Sequence, residues 1–169
     1  MDIFESMENF SSELVLALRN EGWSPGREVD VTRWVEYLKL EGYHINPTAR
    51  VFLESFGGLS LSPLNREGPN FKNGEPLTID PMTCGSGHHH MATELENMLG
   101  RSFYPVGEWL SYADTFIGED GRIVSTGMGW IWGLGENLAD SLELAIFANR
   151  PLKCLHSDPG LEPWPPVTR

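Results

Sequence analysis

Cysteine is scarce in this chain. Cys84 and Cys154 are the only two among 169 residues, they lie far apart, and they form no CxxC. Two thiols do not make a disulfide framework for a domain of this size, so a reducing, cytoplasmic setting is expected. Positive charge is also scarce: Lys and Arg total 12 against 24 Asp and Glu, a net charge of −12. Phosphate binding needs clustered cations, so this balance argues against direct contact with nucleic acid and against an anionic membrane surface. A cationic partner, including a basic protein, fits it. Apolar runs span only a few residues, far short of the roughly 20 that cross a bilayer. The opening segment MDIFESMENF is acidic and has neither the basic start nor the apolar centre of a signal peptide, so none is expected.

Catalytic motifs are missing as well. The chain has no GxxxxGK[ST] or GxGxxG; Gly127-Met128-Gly129-Trp130 shares two glycines with a dinucleotide fingerprint but continues wrongly. There is no HExxH, no GxSxG elbow, and no HxE with PCxxC. A converging carboxylate pair among the 24 acids stays open.

What is present is enough apolar residue, 40%, to build one domain. Met7, Phe10, Leu14, Ala17 and Leu18 recur at helical steps and predict a helix over 3–20. Asp30 is placed to cap a second helix carrying Val31, Trp34, Val35 and Leu38. Asn46-Pro47 starts a third, with Ala49, Phe52, Leu53 and Phe56 on one face and Gly57-Gly58 at its end. Residues 60–74 read as loop with one short strand, and Leu77–Pro81 as a strand closed by proline. Gly85–His90 reads as a flexible polar loop before a helix that turns Ala92, Leu95, Met98 and Leu99 inward.

Phe103–Gly107 and Trp109–Tyr112 read as short pieces broken by Pro105 and Gly107. Thr115–Ile117 and Arg122–Val124 flank Gly118-Glu119-Asp120-Gly121, a strong hairpin signal. A strand through Trp130 and Trp132 follows, its glycines leaving one face thin and calling for something bulky above it. A last helix is expected over 136–149, with Leu138, Leu142, Ala145 and Ile146 buried. The boundary between domain and tail falls at 150: residues 151–169 hold five of the 12 prolines and suit an extended or disordered end.

Three groups of residues are candidates for something beyond packing. Cys84 with His88, His89 and His90 has zinc-binding atoms, but consecutive histidines in a loop cannot all face one ion, so neither metal nor cofactor is assigned. Arg27 in the GWSPGR turn is expected to tie that turn to a carboxylate or to backbone carbonyls. Most tryptophans are expected in the core. Trp164 has no predicted core to join and is free to dock back on the domain or meet a partner.

Gly22, Trp23, Pro25, Gly26 and Arg27, followed by Val29-Asp30 and Trp34, resemble the N-terminal signature of the third immunity-protein subgroup of the SUKH superfamily. Phe52–Leu59, with Gly57-Gly58, looks like that family's helix ending in a double glycine. Ile79-Asp80-Pro81, Leu99-Gly100, Tyr104–Glu108 and Gly121–Val124 continue in the same order, so the resemblance covers about residues 8 to 150. The His-rich stretch and the proline-rich end are not part of it.

The resemblance implies a single α+β domain, a mixed or antiparallel sheet packed by several helices. It also implies a protein that is no enzyme. Bacterial members mostly bind and neutralise a polymorphic toxin, often a nuclease or nucleic-acid deaminase. The expected mode is stoichiometric occlusion of a cognate toxin with a basic surface. Candidate contacts are Asp114, Glu119 and Asp120 in an acidic hairpin, with whichever of Trp109, Trp130 and Trp132 is exposed. A protein-interaction adaptor without a toxin partner, and an enzyme with an unrecognised carboxylate site, are the alternatives.

Overall fold

A computed structural model describes residues 3–166. The stripe expected to make one helix over 3–20 makes two, α1 (Ile3–Glu8) and α2 (Ser12–Asn20). Ser11 is the reason. Its backbone is extended and its hydroxyl accepts from the Leu14 amide at 3.2 Å, which caps α2 separately. Helix α3 (Thr32–Leu40) starts one residue later than the sequence suggests: Val31 holds the cap position, while the Asp30 carboxylate accepts from the Thr32 amide at 2.9 Å. On its inner face Leu38 is buried, and Trp34 and Val35 are half-buried.

Helix α4 (Pro47–Phe56) follows its sequence signals closely. Asn46 accepts from the Ala49 amide at 2.8 Å, Pro47 opens the first turn, and Ala49, Phe52, Leu53 and Phe56 are fully buried. The GWSPGR turn closes over its C-terminal end. Trp23 stacks on Phe56, with centroids 5.8 Å apart, and donates to the Ser55 hydroxyl at 3.0 Å. Arg27 donates to the carbonyls of Ser55 (2.9 Å) and Gly57 (2.7 Å). A helix leaves its last carbonyls unpaired and its C-terminal end partially negative, so a guanidinium fork suits the place on both counts. Gly57 is required by space: a Cβ there would lie 2.7 Å from the Trp34 ring.

Strands β1 (Ser60–Leu61) and β2 (Leu77–Thr78) bracket a long loop. That loop donates from Leu64, Asn65 and Asn70 to the carbonyls of Ile146, Phe147 and Ala148, satisfying the end of the last helix. Pro81 does not simply close a strand. With Asp80 as cap it opens α5 (Pro81–Gly85). The stretch expected to be a flexible polar loop is ordered: α5 covers Gly85, and α6 (His89–Leu99) begins inside the histidine run. Ala92 and Leu95 are buried as expected, whereas Met98 is 47% exposed.

Residues 103–109 form one strand, β3 (Phe103–Trp109), rather than broken pieces. A bulge between Pro105 and Gly107 absorbs the proline, which has no amide hydrogen to donate. Gly107 lets β2 approach: a Cβ would fall 1.9 Å from the Thr78 carbonyl oxygen. The hairpin read around Asp120-Gly121 is present as β4 (Ala113–Gly118) and β5 (Ile123–Gly127). Then come β6 (Trp130–Gly133), α7 (Leu138–Phe147) and β7 (Lys153–Ser157). Helix α7 is capped by Asn137 and buries Leu138, Leu142, Ala145 and Ile146. The stretch after Pro151, expected to be extended or disordered, thus adds a strand to the sheet as far as Ser157.

The seven strands form one antiparallel sheet in chain order, β1 to β7. This is the α+β domain with an antiparallel sheet that the resemblance implies. Helices α4, α5 and α6 pack on β3 and its neighbours, while α1 and α2 pack on α7. No helix among the described residues is long and apolar enough to cross a membrane.

Candidate functional site

The candidate residues fall at two ends of the sheet. Glu119 and Asp120 occupy the β4–β5 turn. Asp114 lies near the opposite end of β4, about 17 Å away by strand rise, so it is not part of an acidic hairpin tip. The Asp120 carboxylate is paired with Arg101 and, at 3.5 Å, with Arg122. That leaves Glu119 as the exposed turn charge in no ion pair among the described residues.

Asp114 faces His88, with Nδ1 to carboxylate oxygen 3.1 Å, and the same Nδ1 lies 2.9 Å from the Cys84 carbonyl. Directly across the ladder from Asp114 stands Glu108. Burial raises the Asp114 pKa above the ordinary carboxylate range; His88 pulls it back and Glu108 pushes it further up. The beginning of α6 is thus tied to β4 by the contact of His88 with Asp114. Neither acid lines any of three surface clefts formed by the described residues.

His89 packs edge-on against Tyr43 at 4.9 Å, and His90, edge-on to His88 at 6.2 Å, lies beside β5 and β6. Cys84 is buried, its thiol pushed up to about 12 by burial, and it is 3.4 Å from the Thr115 carbonyl. It is a packed, unreactive thiol.

Of the three candidate tryptophans, Trp109 and Trp132 are completely buried and only Trp130 is partly exposed. Trp109 is core, packed edge-on against Phe71 at 6.0 Å. Trp130 and Trp132 alternate along β6, so they share a face and stack at 6.2 Å. The C-terminal segment crosses above them. Trp132 Nε1 donates to the Trp164 carbonyl at 2.7 Å and Trp130 Nε1 to the Glu162 carbonyl at 2.9 Å. Trp164 therefore docks back on the domain, edge-on to Trp132 at 5.9 Å, while leaving 42% of its surface exposed; Tyr112, 43% exposed, meets Trp132 edge-on at 6.4 Å. The bulk expected above the glycines is present: Leu161 and Asp158 lie over Gly129, and Leu155 over Gly133. Nothing in the spacing of residues 151–166 fixes this contact; its traces in the sequence are the glycines that call for bulk above β6 and a Trp164 with no predicted core to join.

A cleft of about 440 Å³ lies beside β5, β6 and the start of α7. Its arginines are committed within the fold. Arg150 donates to the carbonyls of Leu134 and Asp140, and Arg122 pairs with Glu136 at 3.0 Å. Lys153, at its rim, is exposed.

No side chain in these arrangements pairs a nucleophile with a base. Residues 10–146 match the SUKH-3 family, described as SUKH-3 immunity protein. Neither a search of curated proteins nor a search of solved structures gives a match. The matched span holds the Trp23–Arg27 clasp, the sheet from β1 to β6 and nearly all of α7. On that match the chain belongs to the SUKH-3 immunity protein family, which implies an immunity function and a toxin as partner.

Proposed function

We propose that this protein neutralises a cognate bacterial toxin, a nuclease or nucleic-acid deaminase, by stoichiometric occlusion in the cytoplasm. The observation that carries the reading is the family match joined to an uncompensated acidic surface. Glu28, Glu36, Glu94, Glu96, Glu119 and Glu162 are all exposed and in no ion pair among the described residues. A toxin that acts on nucleic acid needs cations where it meets phosphate. A protein of charge −12 is steered to such a face and covers it. Steering sets the encounter rate and the choice of partner; buried apolar and aromatic anchors supply most of the affinity.

The test is co-expression with the product of the gene adjacent to this chain's own. Rescue of growth together with a co-purifying one-to-one complex is the expected result. Failure of both would remove the immunity reading for that pair.

A further inference from the structure

One end of the sheet carries strained turns and an exposed methionine. Four non-glycine residues have positive φ among the described residues, and three of them, Leu110, Ser111 and Met128, lie in the β3–β4 and β5–β6 turns at this end. A side chain in the left-handed region is strained, and such strain concentrates at binding sites. Met128, at φ 55 and followed by Gly129 at φ 91, holds a hairpin position that favours Asn or Gly. It is nevertheless a large apolar residue, 73% exposed.

Beside it runs a groove of about 220 Å³ between α6 and the strands β5 to β7. Met91, Met98, Met128 and Ile131 give its apolar lining, on the sheet face opposite Trp130 and Trp132. Its charged lining is Glu94 and Asp158, with His90 and His156; no Lys or Arg lines it. His156 lies 3.5 Å from Asp158. Methionine side chains reshape around whatever they meet, which suits a docking surface better than a core.

We propose that this methionine groove is where the toxin docks, receiving a large apolar side chain flanked by Lys or Arg. The inference rests on the immunity reading and adds the place and the chemistry of the contact. Charge decides the occupant. A second copy of this chain would bring −12 against −12 with no Lys or Arg in the groove to relieve it. Residues 162–164 of the chain's own C-terminal segment are held on the other face by the indole hydrogen bonds, and of the segment after β7 only Gly129's neighbour Asp158 lines the groove. A segment with an apolar anchor and cationic neighbours satisfies both the lining and the rim.

The experiment uses the full chain and an inactivated form of the adjacent gene's toxin domain as probe. Calorimetric affinity is measured for wild type, Met128→Asn, Met98→Ala and, as a control on distant exposed apolar surface, Leu40→Ala. The methionine methyl signals are followed by NMR in the wild-type complex. Met128→Asn is expected to fold at least as stably as wild type, since Asn suits the turn. Both groove variants should nevertheless lose about tenfold or more in affinity, while Leu40→Ala stays near wild type. The methyls of Met91, Met98 and Met128 should shift, and those of Met7 and Met82 should not. A wild-type complex in which the groove methyls do not move, or in which both groove variants bind within about threefold of wild type, overturns the groove and leaves immunity standing. A wild type that neither binds nor protects overturns both.

Discussion

Arg27 shows how one side chain can serve a whole helix end. Its fork holds the carbonyls of Ser55, in the last turn of α4, and of Gly57, its C-cap, beside the stacked pair Trp23 and Phe56. Arg27→Ala should cost about 2 kcal/mol, read as a drop in thermal midpoint of about 4–8 °C. Arg27→Lys should recover little, because an ammonium cannot match the fork. Asp114 makes the opposite case. Its pKa is raised by burial, only partly offset by His88, so the folded state holds that proton more tightly than the unfolded chain. Stability from this group is present at low pH and is lost as pH rises from the ordinary carboxylate range through the folded value. Asp114→Asn should therefore flatten that loss in denaturation midpoints measured across the acid range; an unchanged profile would mean His88 cancels the burial cost. Arg27 is legible in the sequence as a ligand of a carboxylate or of carbonyls, since a turn cation near a helix end has few other outlets. The His88–Asp114 contact is not, because its partners come from the α5–α6 junction and from β4, 26 positions apart in the chain.

At the level of elements, local signals are readable and long-range ones are not. The ends of α4 and the β4–β5 hairpin follow from Asn46-Pro47, Gly57-Gly58 and Asp120-Gly121. Strand β3 reads as fragments in the sequence because Pro105 and Gly107 break strands when considered alone. A bulge accommodates the first and a close neighbouring strand requires the second, and neither is visible without the partner. The same holds for β7 and the segment over Trp132, which composition marks as tail. Truncation after Ser157 should expose Trp130 and Trp132, shifting tryptophan emission to the red and lowering the thermal midpoint. An unshifted spectrum would show that residues 158–166 do not shield the indoles.

Across the whole molecule, the net charge of −12 constrains partners more than it constrains fold. Reversing Glu119 and Asp120 to Lys should slow association with the toxin about threefold at low salt and flatten its salt dependence. Most of that effect belongs to Glu119, because Asp120 is already offset by Arg101 and Arg122. Unchanged kinetics would separate the β4–β5 turn from the encounter. Protection by occlusion requires that the toxin be covered in equal number. Titrating purified protein into a fixed amount of active toxin measures that ratio. Toxin activity should fall linearly and vanish at one equivalent, with the toxin recovered chemically intact. Complete loss of activity at a small fraction of an equivalent, or no loss at any ratio, would contradict it.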